Sequence, residues 1–181
     1  MVPRMLASAP TLQAVSPLTS RLGLIPSGAS GIHATLRLMR DIVRQYKTNL
    51  SIRHFAMQLV ANVPDKDFEG EVYAVFSWVR DNIRYTRDVN GVETLQTPDK
   101  TIQLGQGDCD DQAVLVSSLL ESIGFQTRFT AIGFQPGIYQ HVFCEVMMLD
   151  HSWIPLETTE GSDVGLAWRP ANVRAIMRIE N

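Results

Sequence analysis

Apolar positions recur with a helical period over much of the first half of the chain. Leu36, Met39, Val43 and Tyr46 fall on one face, with Arg37, Arg40, Asp41 and Arg44 between them. Ile52, Phe55, Ala56, Leu59 and Val60 form a second stripe that ends before Pro64. Phe68, Val72, Val75, Phe76, Val79 and Ile83 form a third, in a segment running from Asp67 to Tyr85. Each stripe reads as the core-facing side of a helix. Residues 86–108 lose the pattern and contain Asn90-Gly91, Pro98, Gly105 and Gly107, so they read as a loop. A loop of that length in a compact domain usually wraps a site. Then follow Cys109 and DDQAVLVSSLLESIG, apolar nearly all round except for Asp110, Asp111, Gln112, Glu121 and small serines. A helix without a polar face is a buried helix, and Gly124 is its natural stop. Beyond it the period changes to two. Thr127–Phe134, His141–Leu149 and Ser152–Glu157 read as strands, separated by Pro136-Gly137 and Asp150-His151. Helices first, then a run of neighbouring strands, predict an α+β fold: a central helix opening at Cys109 and packed on an antiparallel sheet.

Composition and charge narrow the functional classes. With 181 residues the chain holds one domain with a sizeable core. Its 16 basic and 19 acidic residues give a net charge of −3, no footprint of a nucleic-acid binder. No window approaches the roughly 20 apolar residues of a membrane span. Residues 1–30 carry Arg4 and Arg21 and no acid, lack any period, and are interrupted by Pro10, Ser16, Pro17 and Ser20. They read as an extended arm rather than a secretory signal, leaving 31–181 as the single domain. Two cysteines make no disulfide framework and suit a reducing compartment, cytoplasmic or virion-associated.

The cysteine at the head of the buried helix is the first chemical candidate. A thiol becomes a good nucleophile as the thiolate, which a helix N-terminus or a neighbouring imidazole favours. Asp108 is placed to cap the helix, and the N–H groups of that first turn are suited to hold an oxyanion. Asp108, Asp110 and Asp111 act against the thiolate unless capping hydrogen bonds absorb their charge. His141 opens a strand whose alternation puts His141, Phe143, Glu145 and Met147 on one face. Val142, Cys144, Val146 and Met148 occupy the other, so Cys144 reads as buried and inert. A connection of three residues (148–150) or of five would set His141 directly opposite Glu157, where a carboxylate orients the imidazole. A two-residue turn at Asp150-His151 would set Glu157 against Cys144 instead.

The segments LQTPDKTIQLGQGDCDDQAVLVSSLLESIGFQTRFTAIGF, QHVFCEV and WIPLETT resemble the transglutaminase-like superfamily of papain-like cysteine enzymes, over about Ser51 to Glu160. The resemblance is closest to small prokaryotic and bacteriophage members. It implies a catalytic triad of Cys109, His141 and Glu157, with Glu157 standing where the family usually has Asp. Gln103, six residues before Cys109, has the separation of the oxyanion glutamine in papain-like proteases. Gln103, Asp108 and Asp110 are thus the candidates for oxyanion or first-turn support. No cofactor is expected: the sequence has no Walker, dinucleotide or calcium-loop motif, and the strand alternation sets Cys144 away from a zinc site with Cys109 and His141.

Two functions follow. The first is an acyl-transfer enzyme that forms a Cys109 thioester from an amide or peptide, with hydrolysis favoured over crosslinking. Its partner is a protein or peptide substrate. The second is a structural or docking component of a bacteriophage virion, with a degenerate site and an N-terminal arm that orders on other virion proteins.

Overall fold

The three apolar stripes become α1 (Ala29–Tyr46), α2 (Leu50–Val60) and α3 (Phe68–Asn82) in a computed structural model that describes residues 29–87, 95–159 and 170–181. Most of the arm expected over residues 1–30 therefore lies outside the described residues. The Asn49 side chain caps α2 by accepting from the N–H groups of Ser51 and Ile52, and Asp67 caps α3 through Gly70. The third helix stops sooner than its stripe predicts. Ile83 turns extended, and Arg84–Tyr85 forms a short strand β1 that pairs in parallel with β2 (Gln106–Gly107). Tertiary hydrogen bonds override the helical period here. Arg84 N–H donates to Gly105 O at 2.9 Å, and Thr86 N–H donates to Gly107 O at 3.0 Å.

The stretch expected to be loop from 86 to 108 also contains α4 (Pro98–Leu104). Its markers are local: Pro98 in the first turn, Asp99 beside it, and Gly105 in the left-handed region at φ 62°. Seven residues are too few for a periodic stripe to stand out. The central helix α5 (Cys109–Ser122) follows, then β3 (Thr127–Gly133), β4 (His141–Met147), β5 (Trp153–Leu156) and β6 (Ala175–Glu180). These four strands form an antiparallel sheet in the order β5-β4-β3-β6. Strand β6 has no counterpart in the sequence reading. Its outward-facing Ile176 spoils the binary pattern that Met177, Arg178, Ile179 and Glu180 otherwise follow.

Helix α5 lies at the centre of the core. Every residue from Asp111 to Leu120 is buried, with α1, α2, α3 and α4 around it and the sheet beneath. At its C-terminal end Glu121 is a junction. One carboxylate oxygen pairs with Lys47 Nζ at 2.9 Å; the other accepts from the Thr127 N–H and hydroxyl at 3.1 and 3.0 Å. The end of α1, the end of α5 and the start of β3 are thereby held together.

The connection between β3 and β4 folds tightly onto Gly133. A Cβ there would lie 1.6 Å from the carbonyl oxygen of Ile138. Gln140 N–H closes the hairpin on Ile132 O at 2.9 Å, immediately before His141. Gly133→Ala is expected to lower stability by at least the ~1–3 kcal/mol typical of overpacking, read as a lower urea midpoint. A midpoint equal to that of the wild type would show that the hairpin gives way freely.

Candidate active site

The start of α5 concentrates three acids within four residues, and hydrogen bonds absorb two of them. Asp108 caps the helix: its Oδ1 accepts from Asp110 N–H at 3.0 Å and Asp111 N–H at 3.1 Å. Asp111 completes a reciprocal box by accepting from Asp108 N–H at 3.3 Å. Asp111 also takes the backbone N–H of Gln96 at 2.7 Å and its side-chain amide at 2.6 Å. This clamp ties the approach to α4 against the first turn of α5.

Cys109 itself is partly solvent-accessible, whereas Cys144 is fully buried; both are free thiols. The Cys109 S–H donates to Asp110 Oδ1 at 3.4 Å. Burial, then the charges of Asp110 and Asp108, push the Cys109 thiol well above its ordinary range, while the backbone N–H of Val142 works in the opposite direction. The undisturbed thiol thus keeps its proton at neutral pH. A nucleophile here needs a base to take that proton. Burial likewise raises Cys144, which faces Ser117 in the core.

The hydrogen-bonding reach of Val142 brings the sulfur to the first residues of β4, one position from His141. The His141 Nε2–H donates to Glu157 Oε2. The other carboxylate oxygen, Oε1, accepts from both the N–H and the hydroxyl of Thr159, each at 2.7 Å. Glu157 is 1% exposed, which makes these bonds decisive for its charge. Burial alone would raise its pKa, but the His141 bond and charge, with the two Thr159 bonds, hold it below its ordinary value.

The register differs from the direct opposition of His141 and Glu157 expected for a five-residue connection. Residues 148–152 do connect β4 to β5, with Met147 across from Trp153 and Cys144 across from Leu156. Carried one residue further, this register sets Glu157 across from Phe143. Glu157 shares a face with His141 but sits one cross-strand pair away, at the diagonal spacing of about 7–8 Å between backbones. A Glu, one methylene longer than Asp, bridges that diagonal.

The fold agrees with comparisons to known proteins. The profile of the transglutaminase-like superfamily matches residues 53–158, more than half of the chain. The chain belongs to the transglutaminase-like superfamily. Among solved structures it is similar to a candidate cysteine protease of Cytophaga hutchinsonii, with a TM-score of 0.53 and 17% identity over 67% of this chain and 42% of that one. It is also similar to a candidate protease of Parabacteroides distasonis, with a TM-score of 0.57 and 14% identity over 80% of this chain and 32% of that one. The chain thus spans less than half the length of either protein. No curated protein matches it. At these identities the two structures establish the shared fold: helices and an antiparallel sheet in the transglutaminase-like arrangement.

Within this transglutaminase-like domain the other candidates sort by position. Asp108 and Asp110 lie in the first turn of α5, whereas Gln103 is exposed near the end of α4. Sequence reasoning missed Gln96 and Thr159, which fasten Asp111 and Glu157. The Thr158-Thr159 pair directly after Glu157 was the available signal, since a hydroxyl two residues past a carboxylate readily closes such a turn.

Two expectations follow from these charges. Asp110→Asn removes the acceptor of the thiol proton and the larger of the two carboxylate charges acting on the sulfur, leaving that of Asp108. Alkylation of Cys109 by iodoacetamide at pH 7 should then run several-fold faster; an unchanged rate would show that Asp110 does not set the thiol. Glu157 has a lowered pKa, so its contribution to stability is complete above its ordinary value of 4.5 and is lost as the pH falls through the lowered one. Glu157→Gln should therefore flatten the acid limb of the stability curve below about pH 4.5, measured by urea unfolding across pH.

Proposed function

We propose that the protein is a cysteine-dependent acyl-transfer enzyme acting on amide or peptide bonds, and that water is its usual acceptor. The observation that carries this reading is the His141–Glu157 hydrogen bond, placed one residue from the Val142 N–H that reaches the Cys109 sulfur. With Nε2 engaged by Glu157, Nδ1 is the imidazole nitrogen assigned to exchange protons with the thiol.

In this mechanism His141 takes the Cys109 proton as the sulfur adds to the substrate carbonyl carbon. The C–S bond forms, and the π pair moves onto oxygen. Collapse of that intermediate expels the amine, which takes the proton back from His141, and leaves a thioester. Water, deprotonated by the same imidazole, then attacks the thioester and releases the acid and the thiol. Glu157 holds the imidazole in orientation and stabilises its charged form, as the acid of a triad does. The ion pair of thiolate and imidazolium also answers the acids around Cys109, because the proton moves to a cation that those acids favour.

Hydrolysis is favoured over crosslinking because Cys109 keeps partial solvent access, so water reaches the thioester without a dedicated amine site. The similarity to two candidate proteases supports a peptide as the acylating substrate. No helix among the described residues is long and apolar enough to cross a membrane.

Iodoacetamide should label Cys109 and spare Cys144, and Cys109→Ala should abolish peptide turnover while leaving the fold intact. Cys109→Ser, incubated with peptide mixtures, should retain the substrate for identification by mass spectrometry. A Cys109→Ala protein with full turnover would end this reading, whereas a wild type that neither turns over peptide nor reacts at Cys109 would favour a docking module with an inert site. Glu157→Gln should reduce turnover without abolishing it, because a neutral acceptor of equal size still orients the ring.

A further inference from the structure

Resting on the thioester mechanism above, we propose that Tyr85 is a catalytic residue, its phenolic O–H donating to the oxyanion that forms on the substrate carbonyl. An oxyanion site needs donors about 2.7–3.1 Å from the oxygen where charge develops. The backbone of α5 supplies one. The Asp108 carboxylate takes the N–H groups of Asp110 and Asp111, and its carbonyl takes that of Gln112. Among the described residues, no hydrogen bond takes the N–H of Cys109, which leaves it as the donor beside the sulfur.

A second donor must stand close to Cys109 and face solvent, where substrate arrives. Gln103 is exposed on α4, whereas Tyr85 is carried to the start of α5 by a structure of its own. Strand β1 pairs Tyr85 with Gly107, two residues before Cys109. Backbone bonds from Arg84 and Thr86 fix that register on either side. The buried amide of Gln112 holds both strands to α5 by donating to Ile83 O at 3.3 Å and Gly107 O at 3.4 Å. A ribbon of two residues per strand buries little and closes no core. What it does is fix Tyr85 against the entrance to α5, with the residue 43% exposed. Burial raises the phenol's pKa; Arg87 lowers it, and the nearby Cys109 and Asp108 charges raise it. The phenol thus remains a neutral donor at working pH, in electrostatic contact with the nucleophile.

Two small probes separate this role from a structural one and need no knowledge of the natural substrate. Acetylation of Cys109 by p-nitrophenyl acetate passes through a tetrahedral oxyanion; alkylation by iodoacetamide displaces iodide and forms none. In Tyr85→Phe, acetylation should slow by about a hundredfold, in line with loss of one oxyanion donor. The alkylation rate and the thermal midpoint should stay unchanged. Unchanged acetylation would overturn the proposal. Equal slowing of both reactions would also overturn it, assigning Tyr85 to the thiol instead. If Cys109 of the wild type resists both reagents, the thioester mechanism falls, and this role falls with it.

Discussion

Burying α5 on every side is the constraint from which the rest of the structure follows. Ala113, Val114, Leu115, Val116, Leu119 and Leu120 have no solvent face to share, so layers must close around the helix from all directions. Each large aliphatic side chain among them contributes about 1.5–3 kcal/mol when taken out of water. Helices α1, α2 and α3 cover one side, and β3 and β4 cover the other. The ends of such a helix are the places where chemistry can reach solvent. At the C-terminal end Glu121 is consumed by Lys47 and Thr127. The N-terminal end is left to carry Cys109 with partial access.

That end is electrostatically divided. A helix N-terminus favours anions, and the chain fills it with aspartates before the sulfur can benefit. Asp108 and Asp111 secure the helix start and anchor Gln96, so the positive end of the dipole stabilises structure rather than the thiolate. In the proposed mechanism the sulfur is activated from β4, by the imidazole of His141 beside Val142. A thiol that stays protonated until a base is engaged is protected from adventitious oxidation and alkylation. In that mechanism low resting reactivity comes with dependence on His141.

The imidazole is in turn held by groups that approach from beyond β5. Glu157 lies past the last residue of that strand, where the chain leaves the sheet, and Thr159 folds back to fix the second carboxylate oxygen. The pair spans a diagonal rather than a direct cross-strand contact, and the extra methylene of Glu suits that distance. Replacement of the family's usual Asp is in this light a geometric adjustment. In the role proposed for Tyr85, the short β1–β2 ribbon places it as β4 places His141. In both cases one residue is placed by backbone pairing and not by its own packing.

Elements with a long, regular pattern were legible in the sequence by itself: three amphipathic helices, a helix with no polar face, and strands with period two. Each was specified by many side chains agreeing on one face. Cys109 at a helix start and Cys144 on the inward face of β4 followed from the same periodicities, whereas the common face of His141 and Glu157 waited on the register of β4 and β5. What the tertiary structure decided was carried by one or two residues at a time. The extension of Ile83–Tyr85 depends on carbonyls of Gly105 and Gly107 some twenty positions away. The fit of β6 depends on β3 accepting Met177 and Ile179 against Ala131 and Phe129. The diagonal register of Glu157 depends on a connection that could have closed one pair sooner. A hydrophobic period records which face is buried, but it is blind to a shift of two residues along a strand, because that shift leaves every side chain on the same side.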